Sequence, residues 1–188
     1  MDIDKLFRES PEFLTNRIYL RRFILKDISD YYDLASDPDV TAYTMWNTHR
    51  VLDESQAYVD SVLRKYNNKE AYHWGIIARE SGKLIGRTGF ISFDVAHDRT
   101  EIGFVISKKY WGQGIVVEAT REILCYAFDT IGINRVEGRC NHDNVGSRRV
   151  MEKLGMKFEG ILRKQLKIKG NYTDQKLYSL VRDDLQAV

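Results

Sequence analysis

Apolar positions along this chain recur in two rhythms, one of two residues and one of three to four. The two-residue alternation is clearest at Ile102, Phe104 and Ile106, which predicts a strand over 100–106. Further strands are predicted near Arg17–Arg22, Tyr72–Arg79 and Lys83–Phe93, the last two joined by a turn at 80–83. A short strand follows at Arg135–Cys140, and a closing pair at Lys157–Lys169 and Tyr172–Val181 flanks a Lys-Gly-Asn turn at 169–171. The helical rhythm predicts a helix over Leu25–Ala35, stopped by Asp37-Pro38-Asp39. A second helix is predicted to reach about Tyr66, with Asp53 as its N-cap and Leu52 as a staple residue. Val116, Ile123, Leu124, Ala127, Phe128 and Ile131 form the stripe of a third, which Gly132 ends; Asn144 caps a fourth, with Val150, Met151 and Leu154 on its apolar face and Gly155 at its end. The order is strand, two helices, three strands, helix, strand, helix, two strands. It predicts one mixed α/β (α+β) domain over residues 1–188 with a mainly antiparallel sheet.

Composition narrows this picture. At 188 residues the chain suffices for one domain with a substantial core. A net charge of +2 and a pI near 8.4 give no electrostatic case for nucleic acid. The basic runs Arg148-Arg149 and Arg163, Lys164, Lys167 and Lys169 read as a solvated face or as phosphate contacts. No apolar run is long enough to span a bilayer, and the first residues carry acids without a signal-like apolar region. The two cysteines, Cys125 and Cys140, have no metal or redox spacing and read as reduced thiols, which predicts a cytoplasmic protein. The four histidines have no ligand spacing, so no metal is expected.

The candidate chemistry starts just past the 100–106 strand. Tyr110-Trp-Gly-Gln-Gly114 leads directly into a helix. Glycines at 112 and 114 let a ligand approach the backbone. A helix start offers free N–H groups and the positive end of the dipole, which together suit phosphate. There is no GxxxxGK[ST] and no third glycine at dinucleotide-fold spacing.

Four segments, in this order, resemble the GNAT N-acetyltransferase superfamily, and within it the ribosomal-protein N-terminal acetyltransferase branch. They are Asn16–Arg22; Glu101-Ile-Gly-Phe with Tyr110–Gly114, Glu118 and Ala119; Asn141–Ser147 with Glu152–Met156; and Gly170–Asp174. The superfamily's pyrophosphate signature, [Gln/Arg]-x-x-Gly-x-[Gly/Ala], falls on Trp111–Val116; Gly114 matches, while Trp111 and Val116 depart from it. The resemblance implies a twisted sheet with splayed central strands and acetyl-CoA as donor. It implies that the backbones of Gly112, Gln113, Gly114, Ile115 and Val116 hold the pyrophosphate, with the Val116 side chain turned away. The backbone of Phe104, Val105 and Ile106 would pair with the pantetheine arm, and Asn144 would reach it.

Glu101 is the candidate general base. The tyrosine acid of many superfamily members falls here on Met151, so Ser147 or water is left to serve the departing thiolate. Glu118, in the first turn of its helix, reads mainly as a brace. Trp46 and His49, with Arg50, fall in the loop expected to form one wall of the acceptor site, and Tyr172 and Asp174 in the hairpin expected to form the other. The implied activity is acetyl transfer to a primary amine, foremost a protein N-terminal α-amine. Small amines and a non-catalytic acyl-CoA-binding role are the alternatives, in a monomer or homodimer.

Overall fold

The computed structural model describes residues 1–185. In chain order the elements are α1 (Ile3–Glu9), β1 (Phe13–Leu14), β2 (Ile18–Arg22), α2 (Ile28–Ala35), α3 (Pro38–Thr41), α4 (Leu52–Asn68), β3 (Tyr72–Ala78), β4 (Leu84–Asp94), β5 (Arg99–Ile106), α5 (Ile115–Asp129), β6 (Arg135–Asn141), α6 (Val145–Lys153), β7 (Lys157–Ile168), β8 (Asn171–Val181) and α7 (Arg182–Leu185). The eight strands form one sheet in the order β1-β2-β3-β4-β5-β6-β8-β7. Every neighbouring pair is antiparallel except β5–β6. The mixed, mainly antiparallel sheet expected from the rhythms is the one observed.

Helices cover both faces. On one, α5 buries Ala119, Ile123 and Ala127 completely, and Thr120 hydrogen-bonds Thr88 of β4 at 2.8 Å. On the other, α2 and α4 bury Tyr31, Leu34, Val59 and Val62. At about 25 cal/mol per Å² of apolar surface, these stripes supply most of the driving force for docking the helices. α6 sits on β6 through Met151, whose Sδ would lie 2.7 Å from a Cβ at Gly138, so any side chain there would push Met151 aside.

Several sequence-based expectations change. α1, β1 and α3 were not anticipated: they span seven, two and four residues, too short for a period to register. Asp37-Pro38-Asp39 does not only stop α2. Asp37 accepts from the Asp39 N–H at 2.9 Å and starts α3, with Pro38 in its first turn. The segment from Leu25 begins as a 3₁₀ turn, Leu25–Asp27, before α2 proper. α4 starts at Leu52, so Asp53 lies inside its first turn rather than at the cap. The Glu54 carboxylate closes that end by accepting from the N–H groups of Arg50 (2.5 Å) and Val51 (3.3 Å). Leu52 is 48% exposed and staples nothing.

Candidate active site

The glycine segment is a tight loop between a 3₁₀ turn at Lys108–Tyr110 and α5. Gly112 and Gly114 have φ of +74° and +76°, so these positions need glycine for backbone conformation as well as for close approach. The first backbone bond of α5 runs from the Glu118 N–H to the Gly114 carbonyl at 3.0 Å. Among the described residues, the N–H groups of residues 112–117 meet no acceptor, and no side chain caps the helix. Val116 is 6% exposed, its side chain in the core and away from the loop. Glu118 braces the loop from below. Its carboxylate takes Thr15 Oγ1 at 2.5 Å and Arg17 Nε at 2.7 Å, while Arg17 Nη1 donates to the Gln113 carbonyl at 2.9 Å. The fit to a diphosphate is good: free donors, a dipole end and two residues without side chains.

The strands beside the loop splay. β5 and β6 pair only from Arg99↔Arg135 to Ile102↔Gly138. On the other side of β5, the Ser107 N–H donates to the Ile85 carbonyl at 2.8 Å, and Val105 stands opposite Arg87. Antiparallel alternation then turns the backbone groups of Val105 toward β4 and those of Phe104 and Ile106 toward the splay. Val105 is thus not available for main-chain pairing with an arm in the cleft. The Ile106 carbonyl is held by the indole N–H of Trp111 at 3.0 Å, which gives the unusual first residue of the signature a role. Phe104 and the Ile106 N–H remain.

Asn144 caps α6, its side-chain oxygen accepting from the Ser147 N–H at 3.0 Å. The Ser147 hydroxyl has no hydrogen bond among the described residues. Met151, at the position of the superfamily tyrosine, is fully buried and faces Gly138 rather than the cleft.

Glu101 lies on the β5 face opposite Ile102, its side chain 18% exposed. Arg139 Nη1 stands 3.3 Å from its carboxylate and Glu137 is its neighbour across the ladder. Burial pushes its pKa above the ordinary carboxylate value; Arg139 pulls it down and Glu137 adds to the rise. An open pocket of about 540 Å³ is lined by Ser92, Thr100, Glu101, Glu137 and Arg139. Arg139 and Glu137 were missed in the sequence. The signal was present: charges at 135, 137 and 139 share one strand face.

The two expected acceptor walls do approach each other. Lys169 Nζ of the β7–β8 turn donates to the Thr41 carbonyl of α3 at 2.6 Å. An open pocket of about 500 Å³ lies between Asn47, Thr48, Arg50, Glu54 and Lys169. Trp46 is half-buried against Tyr58. His49 is buried, held by Ser55 Oγ at 2.7 Å, and its pKa is lowered by burial. Tyr172 is 66% exposed. Asp174 accepts from the Lys164 N–H at 2.8 Å in an irregular stretch of β7. His49 and Asp174 are therefore committed to their own elements, while Trp46 and Tyr172 present aromatic surface.

No group of three His, Cys, Asp or Glu side chains suited to a metal exists among the described residues. Burial pushes the Cys140 thiol up to about 11, so it stays protonated at neutral pH. No helix of the described residues is long and apolar enough to cross a membrane.

Comparison with known proteins agrees with this geometry. Residues 17–157 match the acetyltransferase (GNAT) domain model. The uncharacterised N-acetyltransferase YoaA of Bacillus subtilis is 28% identical over 92% of this chain and 97% of its own. YdaF of the same organism, named as a candidate ribosomal N-acetyltransferase, is 32% identical over 63% of this chain and 64% of its own. The crystal structure of a GNAT-family acetyltransferase from Bacillus anthracis superposes with a TM-score of 0.82 at 26% identity, covering 92% of this chain and 99% of that one. The glycine loop at the start of α5, the splayed strands and these matches agree: the chain belongs to the GNAT acetyltransferases and is an acetyl-CoA-dependent N-acetyltransferase.

Proposed function

We propose that this enzyme acetylates the α-amine at the N-terminus of a polypeptide, with Glu101 as general base. The observation that carries the reading is Glu101 itself: a carboxylate on the central strand, beside the splay, whose pKa burial has raised. A base tuned upward accepts a proton more readily than an exposed carboxylate. An α-amine, with a pKa of about 7.7–8.0, is partly neutral at physiological pH and needs only such modest help, whereas a lysine at about 10.4 needs more.

In the transfer, the neutral amine nitrogen attacks the thioester carbonyl, the N–C bond forms and the C–S bond breaks. Glu101 takes the proton from the amine, directly or through water. The Ser147 hydroxyl donates a hydrogen bond to the departing sulfur, which gains its proton from water. The free N–H groups of residues 112–117 hold the diphosphate, and Phe104 aligns the arm so that the carbonyl stands near Glu101. Trp46 and Tyr172 frame the amine's chain. The likeness to YdaF supports a polypeptide acceptor. The engaged states of His49 and Asp174 leave these two to shape the walls without binding the amine.

The test is an acetyl-CoA thiol-release assay over peptides with free or blocked N-termini, lysine-bearing peptides and small amines, with product mapping by mass spectrometry. Acetate on peptide N-termini is expected. Modification confined to lysine side chains, or to small amines with N-termini left free, overturns the reading.

A further inference from the structure

Arg87 of β4 is buried, 8% exposed, on the sheet face covered by α2 and α4. Its Nε and Nη1 are shut off from water and form no hydrogen bond. The guanidinium lies 5.6 Å from the Trp46 ring and 5.7 Å from the Tyr58 ring. Tyr31 stacks on Tyr58 at 4.2 Å, and the hydroxyls of both and the Trp46 indole N–H also lack partners. Among the described residues no carboxylate pairs with Arg87. His73, also buried near this cation, has its pKa pushed well below the ordinary value, first by burial and then by Arg87. The contrast within the fold is direct: Arg21, on β2, makes two bonds to the Asp27 carboxylate at 2.8 and 2.7 Å. An arginine keeps its proton, and a buried charge without a partner is costly to retain.

The guanidinium reaches across to β5. A Cβ at Gly103 would lie 3.9 Å from Arg87 Nη1 and 2.8 Å from Ile91 Cγ2, so the 39% exposed Ile91 side chain covers this glycine beside the guanidinium. Glu101 is two residues back on the same strand and so on the same face. Arg87 itself stands opposite Val105, so its guanidinium leans along the strand to Gly103, which lies about 7 Å from Glu101 by the two-residue repeat.

We propose that Arg87 binds an anionic oxygen group, a carboxylate or phosphate, carried by the acceptor close to the amine that Glu101 deprotonates. This rests on the reading of Glu101 as the base. A carboxylate or phosphate on the side chain of the acetylated residue spans that separation. Arginine's planar fork accepts either group bidentately, and the orphaned donors beside it, Tyr31, Tyr58 and Trp46, have acceptors to gain from it.

The test compares matched acceptors with wild type, Arg87→Met and Arg87→Lys. The acceptors are peptides beginning Asp, Glu or phosphoserine against Asn, Gln or serine, and free aspartate and glutamate against their amides. Wild type should favour the anionic member by about 10²-fold in kcat/KM, with glutarate competing against the acceptor. Arg87→Met should erase the preference while keeping CoA affinity by calorimetry; Arg87→Lys should keep part of it. The proposal is overturned if wild type shows no preference and no glutarate competition, or if folded Arg87→Met slows both members equally. Should Arg87→Met not fold, the wild-type preference and the Arg87→Lys profile decide. If no peptide is acetylated, the α-amine polypeptide reading fails, and the free amino acids against their amides still test Arg87.

Discussion

Glu101 carries opposing demands in one side chain. Burial raises its pKa above the ordinary 4.5, with Glu137 adding to the rise and Arg139 limiting it. Because the folded value exceeds the unfolded one, its contribution to stability is full below about pH 4.5 and is lost as pH rises through the folded value. At neutral pH the ionised carboxylate therefore weakens the fold that holds it. Glu101→Gln is expected to lower kcat/KM by about 10²-fold and to remove the acid limb of the pH–rate profile. Its thermal midpoint should stay level or rise. A profile with the same acid limb in the variant would assign that limb to another group. The sequence pointed to Glu101 as a carboxylate on a central strand. It could not show Arg139 and Glu137 closing round it, because that cluster depends on the β5–β6 register. Nor could it show that His49 and Asp174 are tied to Ser55 and to the Lys164 N–H.

At the scale of elements, the loop and the start of α5 act as one unit held from below by Arg17 and Glu118. Two variants separate its parts. Gly114→Asp puts a β-carbon and a negative charge among the free N–H groups; aspartate tolerates positive φ better than most residues, so the protein should fold yet lose CoA binding by calorimetry. Unchanged affinity would move the diphosphate elsewhere. Glu118→Ala leaves the donors in place and frees Arg17, so KM for acetyl-CoA should rise roughly 10-fold, about 1.4 kcal/mol, with kcat little changed. A matching fall in kcat would mean that the brace also positions the reacting carbonyl. This unit was legible in the sequence because strand period, two glycines and helix period meet within twenty residues. The Arg17 brace was not, since 101 residues separate it from Glu118. The short elements α1, β1 and α3 were invisible for a different reason: each is fixed by contacts and caps, such as Leu6 in the core and Asp37 on the Asp39 N–H, rather than by a repeating pattern.

For the whole molecule, sheet order follows from chain order except at the end, where β8 and not β7 joins β6. That exchange sends the β7–β8 turn across to α3, where Lys169 meets Thr41, and so joins the last hairpin to the first helices. The parallel β5–β6 contact is the seam on which the two halves meet, and it closes over only four residue pairs. Beyond them the sheet is held together by what lies above and below it. A donor arm seated along Phe104 would then act as the missing stretch of ladder, and binding would report as stability. A ligand at 100 times its Kd adds about 2.7 kcal/mol to a fold that alone can bind it, or about 5–10 °C in midpoint for a domain of this size. Desulfo-CoA or CoA in a thermal-shift titration should give such a rise, and Gly114→Asp should abolish it. In a cell the same coupling would make acetyl-CoA abundance a determinant of how long each molecule of this enzyme survives, before any acceptor is modified.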